Sequence, residues 1–128
     1  MTAGDRRLLV RALYELIRFD VIYTWRGFGA IRRELAARPV TAGGRADDAI
    51  EATHRALRAA AGLYVKPVLC LQQAVCSVRI LRDGGVAATL VIGYRPRPFL
   101  AHAWVEVDGR ALEGAVEYAR QMHRLDVA

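Results

Sequence analysis

The spacing of apolar residues changes character once along this chain, at Gly84-Gly85, and that switch constrains the fold more than any other feature. Before it the pattern is helical. Leu8, Leu9, Leu13, Leu16, Ile17, Val21 and Ile22 form a stripe within a stretch running from Arg6 to about Ala37, read as one helix or two because Gly27 and Gly29 interrupt it at TWRGFG. IRRELAAR resumes the helix until Pro39 and the pair Gly43-Gly44, the one candidate linker. Asp47 and Asp48 suit the first turn of a following helix, AIEATHRALRAAAGLY, in which Ile50, Leu57, Ala61 and Tyr64 share a face and which should end near Tyr64. Pro67 breaks the chain, and Cys70 opens CLQQAVCSVRILRDGG, with Leu71, Val75, Val78 and Leu81 or Arg82 at spacings of 3, 4 and 7.

After Gly85 the residues favour strands. VAATLVIGYR is rich in β-branched residues and reads as a buried strand; Pro96 and Pro98 predict a loop in RPRPF; LAHAWVEV reads as a second strand. Asp108-Gly109 is a strong hairpin turn leading into a third strand, RALEGAVEY, while the tail AVEYARQMHRLDVA suits strand or helix. Helices followed by three strands imply an α+β fold, with an antiparallel sheet packed on the helix that starts at Cys70. The expected organisation is one domain over 1–128, with a helical portion at 1–65 and the Cys70 helix and sheet at 66–128.

The chain has 128 residues, 54% hydrophobic and 25% charged, enough for one buried core. No stretch reaches the roughly 18 to 20 apolar residues of a membrane span, and the N-terminus is charged where a signal peptide is apolar, so a soluble cytoplasmic protein is expected. Cys70 and Cys76 are too few for a disulfide framework and lack the second ligand pair of a zinc site; reduced thiols, no metal and no cofactor follow. The net charge of +6 and pI near 10.0 rest on arginine, since Lys66 is the only lysine. The arginines are scattered, without a recognition-helix, finger or RNA-binding signature, which argues against nucleic acid and for a solvated basic surface facing an acidic peptide.

Cys70 holds the position that chemistry favours. A thiol at the first turn of a helix feels the positive end of the macrodipole, which favours the thiolate, and the first-turn N–H groups can face a developing oxyanion. Cys76, mid-helix between Val75 and Val78, reads as core. His102, in Ala101-His102-Ala103-Trp104, supplies a base on a later strand, sharing a face with Trp104 while the alanines take the other. Cysteine at a helix start and histidine on a following strand is the order that Cys-His hydrolases need. His54, between Ile50 and Leu57, reads as a packed structural histidine, and His123 as an exposed tail residue.

The acid that would orient the imidazole depends on hairpin register. With a two-residue turn, strand partners sum to 217 and Glu113 stands opposite Trp104, on the His102 face; with a bulge the sum is 218, Gly114 takes that place and Glu113 turns away. Asp108 is then a fallback, more simply read as a turn residue, and Glu106, four residues along the same face, is a weaker candidate.

These residues resemble the leader-peptidase B protein of lasso peptide biosynthesis, a transglutaminase-like cysteine protease. The likeness covers roughly residues 66 to 113: Pro67, Cys70-Leu71, Ile80-Leu81-Arg82, Gly85, Leu90-Val91-Ile92-Gly93, Pro96-Arg97-Pro98-Phe99 and His102-Ala103-Trp104-Val105-Glu106. Gln73-Ala74 stands where the family often has Arg-Ser, and the family's Asp position falls at Gly114, beside Glu113. The resemblance implies a papain/transglutaminase-like fold and a protease that removes the leader from a ribosomally made precursor before a cyclase closes the macrolactam. It implies Cys70, His102 and an acid, assigned here to Glu113, as the catalytic set. It also implies the protease half of a split pair, with a separate leader-recognition protein and the precursor leader as partners and the cyclase as a further candidate. The competing expectation is a non-catalytic module of the same fold that binds a peptide without cutting it.

Overall fold

Gly27, at φ 78, lets the backbone enter the left-handed region and divides the N-terminal helical stretch into α1 (Ala3–Arg26) and α2 (Phe28–Ala37). The structure, a computed structural model, describes residues 2–38, 47–112 and 115–128. The linker expected at Pro39, Gly43 and Gly44 lies outside the described residues. Thr2 and Asp5 cap α1 reciprocally, each side chain accepting from the other's backbone N–H. Helix α3 (Asp47–Leu63) begins with the two aspartates and stops one residue before Tyr64, close to the expected end. Among the described residues no helix is long and apolar enough to cross a membrane.

Helix α4 (Cys70–Asp83) is central, packed against α1, α3 and the sheet. It therefore buries more than the single predicted stripe: Gln72, Ala74, Cys76 and Ser77 are covered along with Val75, Val78 and Leu81. Glu15 of α1 is also buried, and its charge is met by Arg79 at 2.6 Å and Arg11 at 3.3 Å. Arg79 reaches on to Glu34 at 2.8 Å, so one ionic cluster ties α1, α2 and α4. Arg82, part of the Ile80-Leu81-Arg82 motif, donates to the carbonyls of Leu35 and Ala88, joining the end of α2 to the start of the sheet.

Among the described residues the sheet has four strands in the order β3-β2-β1-β4: β1 (Ala88–Pro96), β2 (Phe99–Val107), β3 (Arg110–Ala111) and β4 (His123–Val127). All its described pairings are antiparallel. Two expectations change, and the tail, which suits strand or helix, supplies both. The proline loop is instead a tight hairpin, because Pro96 occupies the last ladder position of β1, opposite Phe99, with only the turn beyond it. The third strand is two residues long; after it, Ala, Glu, Arg and Gln favour a short helix, α5 (Val116–Gln121), over further strand. The tail then supplies the fourth strand on the far edge of β1, where Ala128 and Leu90 exchange backbone hydrogen bonds of 2.7 and 2.8 Å.

The period-two rule gives the sheet two different faces. Ala88, Leu90, Ala103, Val105 and Val107 belong to the core built on α4, while Val91 and Trp104 pack on the opposite side with Ala115 and Met122.

Candidate active site

The segment before α4 is fastened to α1, and this fixes where the helix begins. The Tyr64 hydroxyl is shared between the Leu16 carbonyl, at 3.1 Å, and the Asp20 carboxylate; Lys66 pairs with Asp20 at 3.0 Å. Gln72, buried in the first turn of α4, donates its amide to the same Leu16 carbonyl at 3.0 Å. Extended backbone at Leu69 leads directly into Cys70, and Leu69 offers no side-chain cap to the first-turn N–H groups. Cys70 is thus half-buried at the uncapped start of a central helix.

One face of α4, carrying Cys70, Gln73, Ala74 and Ser77 at spacings of 3, 4 and 7, lines a cavity of about 240 Å³. The cavity extends roughly 10 Å along the helix from the thiol to Ser77. Ser77 is buried, and among the described residues its Oγ has no hydrogen-bond partner. β2 forms another wall, bringing His102 into the same cavity as Cys70, and α3 contributes His54. Among the described residues no hydrogen bond joins the thiol to His102; the imidazole instead stacks on Tyr118 of α5, with ring centroids 4.0 Å apart, and lies 6.3 Å from Trp104. Burial pushes the His102 pKa below its ordinary 6.5, so the neutral imidazole is favoured.

Trp104 is itself fixed. Its indole N–H donates to Glu106 at 2.9 Å, and Arg124 meets the same carboxylate oxygen at 2.7 Å. On the neighbouring strand Gly93 pairs with His102, and a Cβ there would stand 2.6 Å from the Trp104 ring. Glycine at this position is what lets the indole lie flat across β1 beside the histidine.

A family model described as the transglutaminase-like superfamily matches residues 13–126, nearly the whole chain. The chain belongs to the transglutaminase-like superfamily. It is also 44% identical over 46 residues to the microcin J25-processing protein McjB of Escherichia coli; the match covers 36% of this chain and 22% of that protein, about a fifth of its length. Both matches support the resemblance to lasso-pathway B proteins. No solved structure matches the chain.

Within this transglutaminase-like frame Cys70 and His102 share a cavity. Glu113 lies outside the described residues. The ladder adjoining it follows the two-residue-turn register, with Val107 opposite Arg110 and Glu106 opposite Ala111. Asp108 occupies the turn at φ 55 and is exposed, the place of a turn residue. Glu106 is on the His102 side of the sheet, but its carboxylate is taken up by Trp104 and Arg124. Cys76 is core, its thiol pushed up to about 12 by burial. His123 is exposed, beside the Tyr94 ring.

Three residues carry more than the sequence disclosed. His54 reads as a packed residue on an apolar face, yet its half-buried side chain lines the cavity, because that face of α3 abuts α4 where the cavity opens. Ser77 could have been found by extending the face of Cys70 by seven residues. Tyr118 had no signal, since its approach to His102 depends on α5, which replaces the expected strand.

Proposed function

We propose that this protein is a cysteine peptidase that removes the leader from a ribosomally synthesised lasso precursor before macrolactam closure, working in the cytoplasm with a separate leader-recognition protein. The observation that carries the reading is the meeting of an uncapped helix-start thiol, Cys70, and a neutral-leaning imidazole, His102, on one cavity in a transglutaminase-like fold. The similarity to a protein named for microcin J25 processing supplies the substrate class. The recognition protein, the leader and the cyclase are the partners on this reading.

In the reaction, the Cys70 sulfur attacks the carbonyl at the leader–core junction as its proton passes to His102. First-turn N–H groups of α4 stabilise the oxyanion. The C–N bond then breaks, His102 returns the proton to the leaving amine, and the core is freed with a new N-terminus. Water, deprotonated by His102, hydrolyses the thioester and restores the thiol. Glu113 is the acid proposed to orient the imidazole, supported by the 217 register of the adjoining ladder.

Incubating the precursor and recognition protein with wild type or Cys70→Ala, and following leader release by mass spectrometry, tests this directly. Release should vanish in the variant while its thermal midpoint stays unchanged; undiminished release would sink the reading. One observation favours the second reading, a peptide-binding module: His102 is stacked on Tyr118 and not bonded to the thiol. Iodoacetamide separates the two, since an enzyme should alkylate at Cys70 selectively at neutral pH and a mere binding module should not.

A further inference from the structure

Helix α1 buries Ala12, Glu15, Leu16 and Phe19 against the rest of the molecule and turns another line of side chains to solvent. On that line Val10, Tyr14, Ile17, Val21 and Trp25 recur, each between 52% and 82% exposed. The four steps are 4, 3, 4 and 4 residues, so the side chains form one seam along a single helical face. The line runs roughly 22 Å, and contiguous exposed apolar surface of this kind marks an interaction site.

Its N-terminal end is basic. Arg6 and Arg7, four and three residues before Val10, are exposed on the same face, and neither has an ion-pair partner among the described residues. The acidic residues of α1 lie elsewhere: Asp5 caps the helix, Glu15 is buried and Asp20 binds Tyr64 and Lys66.

We propose that this seam docks a helix of a partner polypeptide, apolar along one face and acidic at the end that meets Arg6 and Arg7. A second copy of the chain fits poorly, because parallel pairing sets Arg6 and Arg7 against themselves and antiparallel pairing brings them to the Trp25 end, where the seam carries no carboxylate. A lipid surface fits poorly too. The seam is one side chain wide per turn, and its flanking cations Arg11 and Arg18 are held by Asp83 and Glu34. No α1 residue lines the Cys70 cavity, so the docking surface stands apart from the chemistry proposed there.

Two labelled helical peptides of about 24 residues, with the same leucine seam but glutamates at both ends in one and lysines in the other, provide the probe; binding to the full chain is read by fluorescence anisotropy. The glutamate-ended peptide should bind, the lysine-ended one should not, and Ile17→Glu with Val21→Glu should weaken binding at least about tenfold. Both positions face solvent, so the variant should keep its circular dichroism spectrum. Arg6→Glu with Arg7→Glu should invert the preference between the peptides. The proposal is overturned if neither peptide binds, if both bind alike, or if charge reversal leaves the preference unchanged. It is equally overturned if wild type sediments as a dimer that Ile17→Glu abolishes, or if vesicles with about 30% anionic lipid capture wild type while the glutamate-ended peptide does not.

Discussion

The two faces of the sheet share the same strands and little else. Toward α4, β1 and β2 present Ala88, Leu90, Ala103, Val105 and Val107, a face of aliphatic side chains whose burial is favourable without any partner. Away from α4, β2 presents His102, Trp104 and Glu106, and here every buried polar group needs an answer: the indole N–H and Arg124 both go to Glu106, and the imidazole stacks on Tyr118. One face is held by packing, the other by order. The cavity takes residues from both, Ala103 and Val105 with His102 and Trp104. It can do so because β3 pairs only with Glu106 and Val107, Leu112 adds one hydrogen bond to the Val105 carbonyl at 3.0 Å, and the described ladder goes no further along that edge of β2. A site built at such an edge has a rigid aliphatic floor and a polar rim that mutation can disturb separately.

The largest separation should come from His102→Ala. Losing a positioned acid–base group should lower leader release by about 10²- to 10⁴-fold while urea unfolding moves little. A variant as active as wild type would remove the chemical meaning given to the outer face. Leu90→Ala on the inner face should do the reverse. Deleting this fully buried side chain should cost about 2–5 kcal/mol in urea unfolding, with the turnover of the folded fraction retained.

Gly93→Ala probes the junction between the faces, because the new methyl would press on the Trp104 ring beside His102 and lie 3.1 Å from the His123 carbonyl. A cost of about 1–3 kcal/mol is expected, together with a change in Trp104 fluorescence and slower release. Wild-type stability and fluorescence in this variant would mean that the indole is free to move, and that the outer face is less ordered than its hydrogen bonds imply.

The helix-side face was legible in the sequence for the same reason that it is robust. Apolar periodicity and β-branched content report burial, and the Cys70 helix, β1 and β2 follow from them, while the Asp108-Gly109 hairpin follows from its turn residues. The outer face was legible only in part. His102 and Trp104 stand out by residue type and share a face by period two, but the roles of Glu106 and Arg124 depend on β4 joining the far edge of β1, which the ambiguous tail conceals. Tyr118 was hidden by the same ambiguity. Glu15 was unreadable for another reason: a glutamate on an amphipathic helix looks solvated until Arg79, 64 residues away, arrives to pair with it.

The smallest effect expected is also the one most specific to the outer face. Burial lowers the His102 pKa below 6.5, so between the folded and unfolded values the unfolded chain binds more protons, and stability rises with pH there. The contribution is complete above the unfolded value and is lost as pH falls through the folded one. Asp20, Glu34 and Asp126, whose carboxyls are held below their ordinary values by hydrogen bonds and neighbouring cations against the cost of burial, lose their contributions only in more acidic solution. The drop in urea midpoint between about pH 8 and about pH 5.5 should therefore be smaller in His102→Gln than in wild type. Tyr118→Ala, which opens the imidazole to water, should move the profile in the same direction by less. Superimposable profiles for wild type and His102→Gln would show that the imidazole titrates as it does in the unfolded chain, and the outer face would then lose its claim to hold a neutral base.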